Sequence, residues 1–377
     1  MFKALISGYY GFGNCGDEAM LFAIVTQLKK RIPDLHVVVL SQRPEDTARE
    51  FGVQAVPRRD FRLIWQELKS ADLLLSGGGS LFQDVTSPRN VFYYAAIILM
   101  AKVLGKKICV YGQGIGPLNY RFSKYLVRRV VGWADVVTLR DEGSRRELTS
   151  LGIAKPAYVT ADPVLGLDTK LADLKRGRAI LAAAGVKEGL KNHLTEAPGR
   201  PALIGVSLRQ WPNLIRFLPV VAKVADRVAA EGNRVVFVPL QPGDLPVLNL
   251  VREQMERPAI IVENIKGFRD LMSVMAHLDL CIGMRLHFLI FAAMFSVPAV
   301  GLGYDPKVPR FMNQVGLPAV PMTEVTEEVL MRFIQDLFEH MDTVREKLKE
   351  RVRELRARAE TNADLVASLL KRGDLGV

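Results

Sequence analysis

Leu280-Cys281-Ile282-Gly283-Met284-Arg285-Leu286-His287-Phe288 is the stretch whose reading decides the fold. Leu280, Cys281 and Ile282 read as the end of a buried strand, and Phe288 to Phe295 as a buried helix. A strand, a short turn and a helix in that order make half of a βαβ unit, and open α/β sheets bind ligands where such strands end. Arg285 and His287 stand two residues apart on that turn. A fixed cation beside a titratable imidazole at a helix start suits an anionic substrate that must also exchange a proton. A histidine satisfied inside a packed turn is the other reading of this segment alone.

The same alternation extends in both directions. Strands are expected at Lys3–Ser7, Val37–Ser41, Leu73–Ser76, Lys107–Tyr111, Val136–Leu139 and Tyr158–Thr160, with helical patterns between them. A second series follows at Ala202–Ser207, Val235–Pro239, Ile260–Val262, Asp279–Ile282 and Ala299–Gly301. Two Rossmann-like domains facing a cleft are therefore expected, spanning 1–170 and 201–343. A linker at 171–200 ends in Pro198-Gly199-Arg200-Pro201, and a helical tail covers 344–377 with a solvated, mixed-charge face.

Composition narrows the function. With 49% hydrophobic and 24% charged residues over 377 positions, the chain can bury two cores. Cys15, Cys109 and Cys281 are widely spaced and form no CxxC pair, so reduced thiols in a cytoplasmic protein are expected rather than disulfides or zinc. No secretory leader is expected, and no apolar run reaches the roughly 20 residues that span a bilayer. The net charge of +11 calls for anionic partners. The cations are dispersed and no RNP motif, zinc finger or helix-turn-helix accompanies them, so nucleic acid is not expected. No HExxH motif, Walker A lysine or Asp-rich set points to a metal.

Three Gly-rich segments follow strands in the first half. Gly8 to Glu18 carries Gly11-x-Gly13-x-x-Gly16, a weak imitation of the dinucleotide fingerprint with no acidic residue closing the second strand. Asp17 there is either a helix cap or a general base for an acceptor hydroxyl. Leu75 to Asp84 holds three adjacent glycines, and Gly112 to Pro117 three more at alternate positions. The three segments would line one sheet edge and suggest a wide polar substrate. Arg140 ends another strand, either in a surface ion pair or turned toward the cleft, and Asp162-Pro163 reads as a turn. In the second half Arg209, Gln241, Arg285, His287 and Lys307 all follow strands, and such a cluster fits a small polyanion carrying carboxylate and phosphate.

Taken in order, GYYGFGNCGDEA, LLLSGGGSLFQD, YGQGIGP, TLRDEGS and CIGMRLHFLIFAAMFSVPAVGLGYDPKV closely resemble the polysaccharide pyruvyl transferases, specifically the CsaB type, over essentially residues 1 to 372. The resemblance implies a GT-B-like fold and transfer of pyruvate from phosphoenolpyruvate onto a cell-wall sugar as a ketal, with no further cofactor. It implies an acceptor disaccharide on a lipid pyrophosphate, containing N-acetylmannosamine, whose ketal later anchors S-layer proteins. Arg209, Arg285 and His287 match the donor-site pattern, with Gln241 and Lys307 beside them and His287 as acid/base. A smaller residue than Phe288 is expected after that histidine, which leaves the pocket size open.

The acceptor is expected against Gly11, Asn14, Asp17, Gly78, Gly79, Gln83, Asp84, Gln113 and Arg140. Its pyrophosphate would bring the protein to the inner, anionic membrane face as a peripheral partner, with Lys124, Arg128 and Arg129 as contacts near Tyr125 and Trp133. An ordinary basic helix face is the other reading of those residues. Two rivals remain at this stage: a GT-B glycosyltransferase with a nucleotide-sugar donor, for which Asp305 could grip a ribose, and a non-catalytic binder of anionic glycans.

Overall fold

A computed structural model describes residues 2–85, 87–186, 201–212 and 214–372. Residues 187–200 of the expected linker and 373–377 of the expected tail lie outside them. The chain forms two compact units, Met1–Leu167 with Glu354–Val377, and Asp168–Arg353.

The first unit alternates β1 (Lys3–Tyr10), α1 (Cys15–Arg31), β2 (His36–Ser41), α2 (Pro44–Phe51), β3 (Gln54–Pro57), α3 (Phe61–Ser70) and β4 (Leu73–Phe82). It continues with α4 (Pro88–Val103), β5 (Lys107–Ile115), α5 (Arg121–Gly132), β6 (Val136–Leu139), α6 (Glu142–Ser150) and β7 (Tyr158–Val159). The second contains α7 (Leu174–Ala183), β8 (Leu203–Ser207), α8 (Leu218–Ala230), β9 (Arg234–Phe237), α9 (Leu245–Arg252), β10 (Ile260–Ile261) and α10 (Phe268–Met275). After these come β11 (Leu280–Gly283), α11 (Leu286–Met294), β12 (Ala299–Gly303), α12 (Lys307–Val315), β13 (Ala319–Pro321), α13 (Glu327–Glu339) and the long α14 (Met341–Arg372).

The sheet orders are β3-β2-β1-β4-β5-β6-β7 and β10-β9-β8-β11-β12-β13. Every pairing is parallel, so each sheet brings all its strand carboxyl ends to one edge. Strand order reverses between β1 and β4 in the first unit and between β8 and β11 in the second, the places where such sheets open a crevice. The strands read as apolar runs because helices cover both faces; Ala4, Leu5 and Ile6 of β1 and Leu73, Leu74 and Leu75 of β4 are wholly buried.

Two expectations about strand length are corrected. β4 does not stop at Ser76 nor β5 at Tyr111, because Gly77 pairs with Tyr111, Gly79 with Gln113 and Phe82 with Ile115. The glycines remain in the sheet because larger neighbours occupy the space of their missing side chains. A Cβ on Gly77 would meet Tyr10 Oη at 2.8 Å, one on Gly78 would overlap Met20, and one on Gly114 would meet Arg140 Nη2 at 2.5 Å.

The described parts of the expected linker and tail also pack into the units. α7 packs along α10: Arg176 bonds Asp270 through Nε and Nη2 at 3.0 and 2.9 Å, and His277 Nε2 lies 2.9 Å from the Leu174 carbonyl. The last part of α14 belongs to the first unit. Arg31 Nε donates to Asp364 at 2.6 Å, and the buried Asn362 accepts from Thr160 Oγ1 at 2.8 Å while donating to the Ala161 carbonyl at 3.2 Å. Its face is thus only partly solvated. Asn362→Ala removes the donor to the Ala161 carbonyl and one acceptor of the Thr160 hydroxyl, which keeps the Leu139 carbonyl at 3.2 Å, and is expected to lower stability by about 1 kcal/mol, read as a fall in the thermal unfolding midpoint.

Candidate active site

The second unit places the expected donor-site residues at the ends of four adjacent strands, β9, β8, β11 and β12. Ser207 of β8 pairs with Gly283 of β11, and the Met284 amide donates to the Ser207 carbonyl at 2.9 Å. Arg209 and Arg285 therefore leave the sheet two residues beyond paired positions, on strands about 4.8 Å apart. This is the reversal point of the sheet.

Arg285 is the N-terminal flanking residue of α11, and its guanidinium is buried. Asp244, on the loop after β9 and fully buried, receives Arg285 Nε at 3.1 Å, Arg285 Nη2 at its other oxygen, and the Leu240 amide at 3.1 Å. The side-on grip fixes the plane of the guanidinium and leaves its Nη1 edge for another acceptor. Arg285 is thus not the unopposed cation that its position alone suggests. Its partner Asp244, in Pro242-Gly243-Asp244, is not among the site residues expected from the sequence.

Arg209 is different. Its Nη1 donates to Tyr304 Oη at 3.3 Å, and its guanidinium lies 5.3 Å from the ring centre of Trp211 and 5.6 Å from that of Tyr304. Its Nε is buried without an acceptor, and no carboxylate pairs with it among the described residues. A buried cationic donor left unpaired is costly unless a ligand supplies the anion. Lys307 Nζ lies 5.2 Å from the same Tyr304 ring and 3.5 Å from Asp305 Oδ2. Arg209, Trp211, Tyr304 and Lys307 therefore form one group, in which the two aromatic residues were not anticipated. Asp305 also accepts from the Lys307 amide at 3.0 Å, so its carboxylate is occupied at the start of α12.

His287 sits in the first turn of α11, half-buried, with Nε2 inside the protein. Gln241 begins the loop that carries Asp244, whose amide donates to the Gln241 carbonyl at 3.0 Å. Phe288 is fully buried, and a Cβ on Gly283 or Gly205 would meet its ring at 2.8 or 3.1 Å. Its bulk goes into the core under β8 and β11.

The first unit sorts its expected contacts into two groups. Several are held internally. Asn14, and not Asp17, caps α1, accepting from the Gly16 and Asp17 amides at 3.0 and 3.4 Å. Gly11, at φ 78°, donates its amide to Glu18 Oε1 at 2.8 Å and has no room for a side chain beside Ser41 and Arg43. Buried Asp84 clamps the amides of Asn119 and Tyr120, accepting at 2.8 and 3.0 Å. Gln113, wholly buried, donates to the Ser76 carbonyl and hydroxyl at 2.9 and 2.8 Å. Arg140 forms neither a surface pair nor a free cation: it is buried, bonded to Ser80 Oγ at 2.8 Å and paired with Asp162 at 3.4 Å and Asp141 at 3.7 Å.

The others stand at the reversal point of this sheet. Asp17 Oδ1 lies 3.8 Å from where a Cβ on Gly79 would sit. Gln83 holds the Val85 amide at 3.0 Å. Gly13 has open space around its Cβ position, and Tyr9 and Phe12 stack beside it with ring centres 3.9 Å apart. The Arg58 guanidinium covers Phe12 at 5.0 Å and Tyr93 at 4.5 Å. Sequence spacing gave no sign of this aromatic and arginine group, because Arg58 comes from the end of β3.

Glu18 is the other unanticipated group. Burial pushes its carboxyl up to about 7; the Gly11 N–H pulls the other way and nearby Asp17 adds to the rise. Its folded value lies above the unfolded one of 4.5, so its contribution to stability is complete below about 4.5 and is lost as pH rises to about 7. Glu18→Gln is expected to remove a fall of up to about 3 kcal/mol between those pH values, measured by denaturant unfolding at several pH values. Asp244→Ala leaves Arg285 buried without its counter-charge and is expected to cost about 3–5 kcal/mol in the same measurement.

Each unit has the strand order of a nucleotide-binding α/β sheet, and two such sheets in one chain define the GT-B-like class. The fold matches solved structures of that class. A glycosyltransferase from Rickettsia africae ESF-5 aligns with TM-score 0.66 at 10% identity over 98% of this chain and 99% of its own. The UDP-GlcNAc 2-epimerase of Methanocaldococcus jannaschii aligns with TM-score 0.63 at 13% identity over 98% and 99%. Within that class, the chain belongs to the polysaccharide pyruvyl transferase family, whose model matches residues 14–306. It is also 23% identical over 376 aligned positions to the amylovoran biosynthesis protein AmsJ of Erwinia amylovora, covering 84% of this chain and 86% of AmsJ.

Proposed function

We propose that the second unit binds phosphoenolpyruvate at the ends of β8, β11 and β12, and that the protein transfers its pyruvyl group onto a sugar diol as a ketal. The observation that carries this reading is Arg209, a cation with a buried, unpaired Nε at the sheet reversal point. Arg209, Lys307 and the Nη1 edge of Arg285 supply donors for one carboxylate and one phosphate, the two anionic groups of this donor. Family membership supports the transfer of pyruvate in polysaccharide synthesis.

The chemistry follows from the residues. His287, as an imidazolium, gives a proton to the methylene carbon of phosphoenolpyruvate and leaves an oxocarbenium-like centre on the adjacent carbon. A sugar hydroxyl attacks that carbon and returns its proton to His287. The carbon–oxygen bond to phosphate then breaks, phosphate departs, and a second hydroxyl of the same sugar closes the ring, its proton leaving with phosphate. The cations lower the cost of holding the donor's charge and assist the departing phosphate. An imidazole suits the shuttle because its ordinary pKa of roughly 6.5 is close to neutral pH.

The acceptor lies along the first unit at Asp17, Gly79 and Gln83, with the Tyr9–Phe12 stack offering a flat face to a sugar ring. Asp17 orients the acceptor sugar. In keeping with the CsaB resemblance, the acceptor is a disaccharide on a lipid pyrophosphate containing N-acetylmannosamine. The nucleotide-sugar reading loses support because Asp305, its proposed ribose ligand, is bonded to Lys307.

Mixing the protein with phosphoenolpyruvate and lipid-linked disaccharides should yield an acceptor heavier by one pyruvyl ketal in the mass spectrum, with release of phosphate. Arg209→Met is expected to lower kcat/KM for the donor at least about a hundredfold. His287→Gln is expected to reduce kcat about a hundredfold or more at saturating donor, and full turnover in that variant would reject the proton assignment.

A further inference from the structure

We propose that the outer faces of α4 and α5 dock the protein onto an anionic lipid bilayer. Between Val85 and Ala134 the chain has no Asp or Glu and eight Lys or Arg, although it holds 40 acidic residues in all. Six of the eleven large apolar side chains exposed among the described residues lie on or next to these two helices. The coincidence of the two features in one segment is what needs an explanation.

The geometry joins them into one surface. Phe92, Leu99 and Val103 are separated by seven and four residues, which places them on one stripe of α4, and they are 46%, 47% and 67% exposed. Phe92 stacks on Phe122 of α5 with ring centres 5.0 Å apart, and Phe122 lies 6.4 Å from Tyr125. Arg121, Lys124, Arg128 and Arg129 share the exposed side of α5 with those aromatics. Arg129 lies over the Tyr125 ring at 5.5 Å and donates to its hydroxyl at 3.2 Å.

Phe and Leu on a surface ringed by Lys and Arg suit the boundary between headgroups and acyl chains, where the cations meet anionic lipid and the apolar groups enter the hydrocarbon. A protein partner fits less well, since protein interfaces are depleted in lysine. A second copy of this chain would oppose like charges across the same face. No described helix is long and apolar enough to cross a membrane, so attachment is to one leaflet surface. The inference is argued from this surface and deepens the expectation of a lipid-linked acceptor by naming the helices that meet the bilayer.

Sedimentation with phosphatidylcholine vesicles, with and without about 30 mol% phosphatidylglycerol, tests it. The protein is expected to pellet with the anionic vesicles, to remain in solution with the neutral ones, and to be released in part by high salt. Phe92→Ser with Leu99→Ser, and separately Arg121→Glu with Lys124→Glu, are each expected to weaken binding at least about tenfold. All four positions are exposed, and unchanged thermal midpoints would show that both variants fold. Failure of the unaltered protein to pellet with anionic vesicles, or variants that bind as it does, would overturn the proposal. The readout involves no turnover, so failure here and failure of pyruvyl transfer are separable.

Discussion

Asp244, fully buried, accepts three donors, and its pairing with Arg285 organises the strand ends of the second unit. A carboxylate there is tolerated only while its donors hold it. The loop after β9 and the turn after β11 are therefore tied together across β8. The pair need not add net stability, since a packed apolar pair would serve as well. What it supplies is direction: Arg285 presents one edge, in one plane, beside Arg209. Among the described residues no carboxylate pairs with Arg209, so of these two strand-end arginines one is neutralised and one is not.

A comparable division governs the first unit. Its edge is rich in glycine, but most of that space is filled by the protein itself, with Tyr10 over Gly77, Met20 over Gly78 and Arg140 over Gly114. The glycines thereby let β4 and β5 stay paired beyond their apolar segments. Space remains at the Cβ position of Gly13, beside the Tyr9–Phe12 stack, and Asp17 approaches Gly79. Glu18 holds the Gly11 amide at this corner, while its burial raises its pKa.

The sheets were legible because their strands are buried on both faces and read as continuous apolar runs. β3, at Gln54–Pro57, and β13, at Ala319–Pro321, escaped notice because each is short, partly exposed and closed by proline. The ends of β4 and β5 were misjudged for a different reason: glycine carries no hydrophobic signal, although its backbone pairs as well as any other. Among the candidate site residues, the shared sheet edge of Arg209, Gln241, Arg285, His287 and Lys307 was legible because each follows an apolar strand and parallel topology sends all of them there. Their partners were not visible. Asp244 lies 41 positions from Arg285, and Asp84 lies 35 from the Asn119 amide it clamps. Only the folded chain shows which charges are already answered and which are not.

Calorimetric titration of phosphoenolpyruvate into the unaltered protein and into Arg209→Met tests most directly whether unpaired strand-end cations hold this donor. Saturable one-site binding that weakens about a hundredfold in the variant is the expected result. Equal binding in both proteins, or binding of UDP or GDP sugars but not of phosphoenolpyruvate, would contradict it.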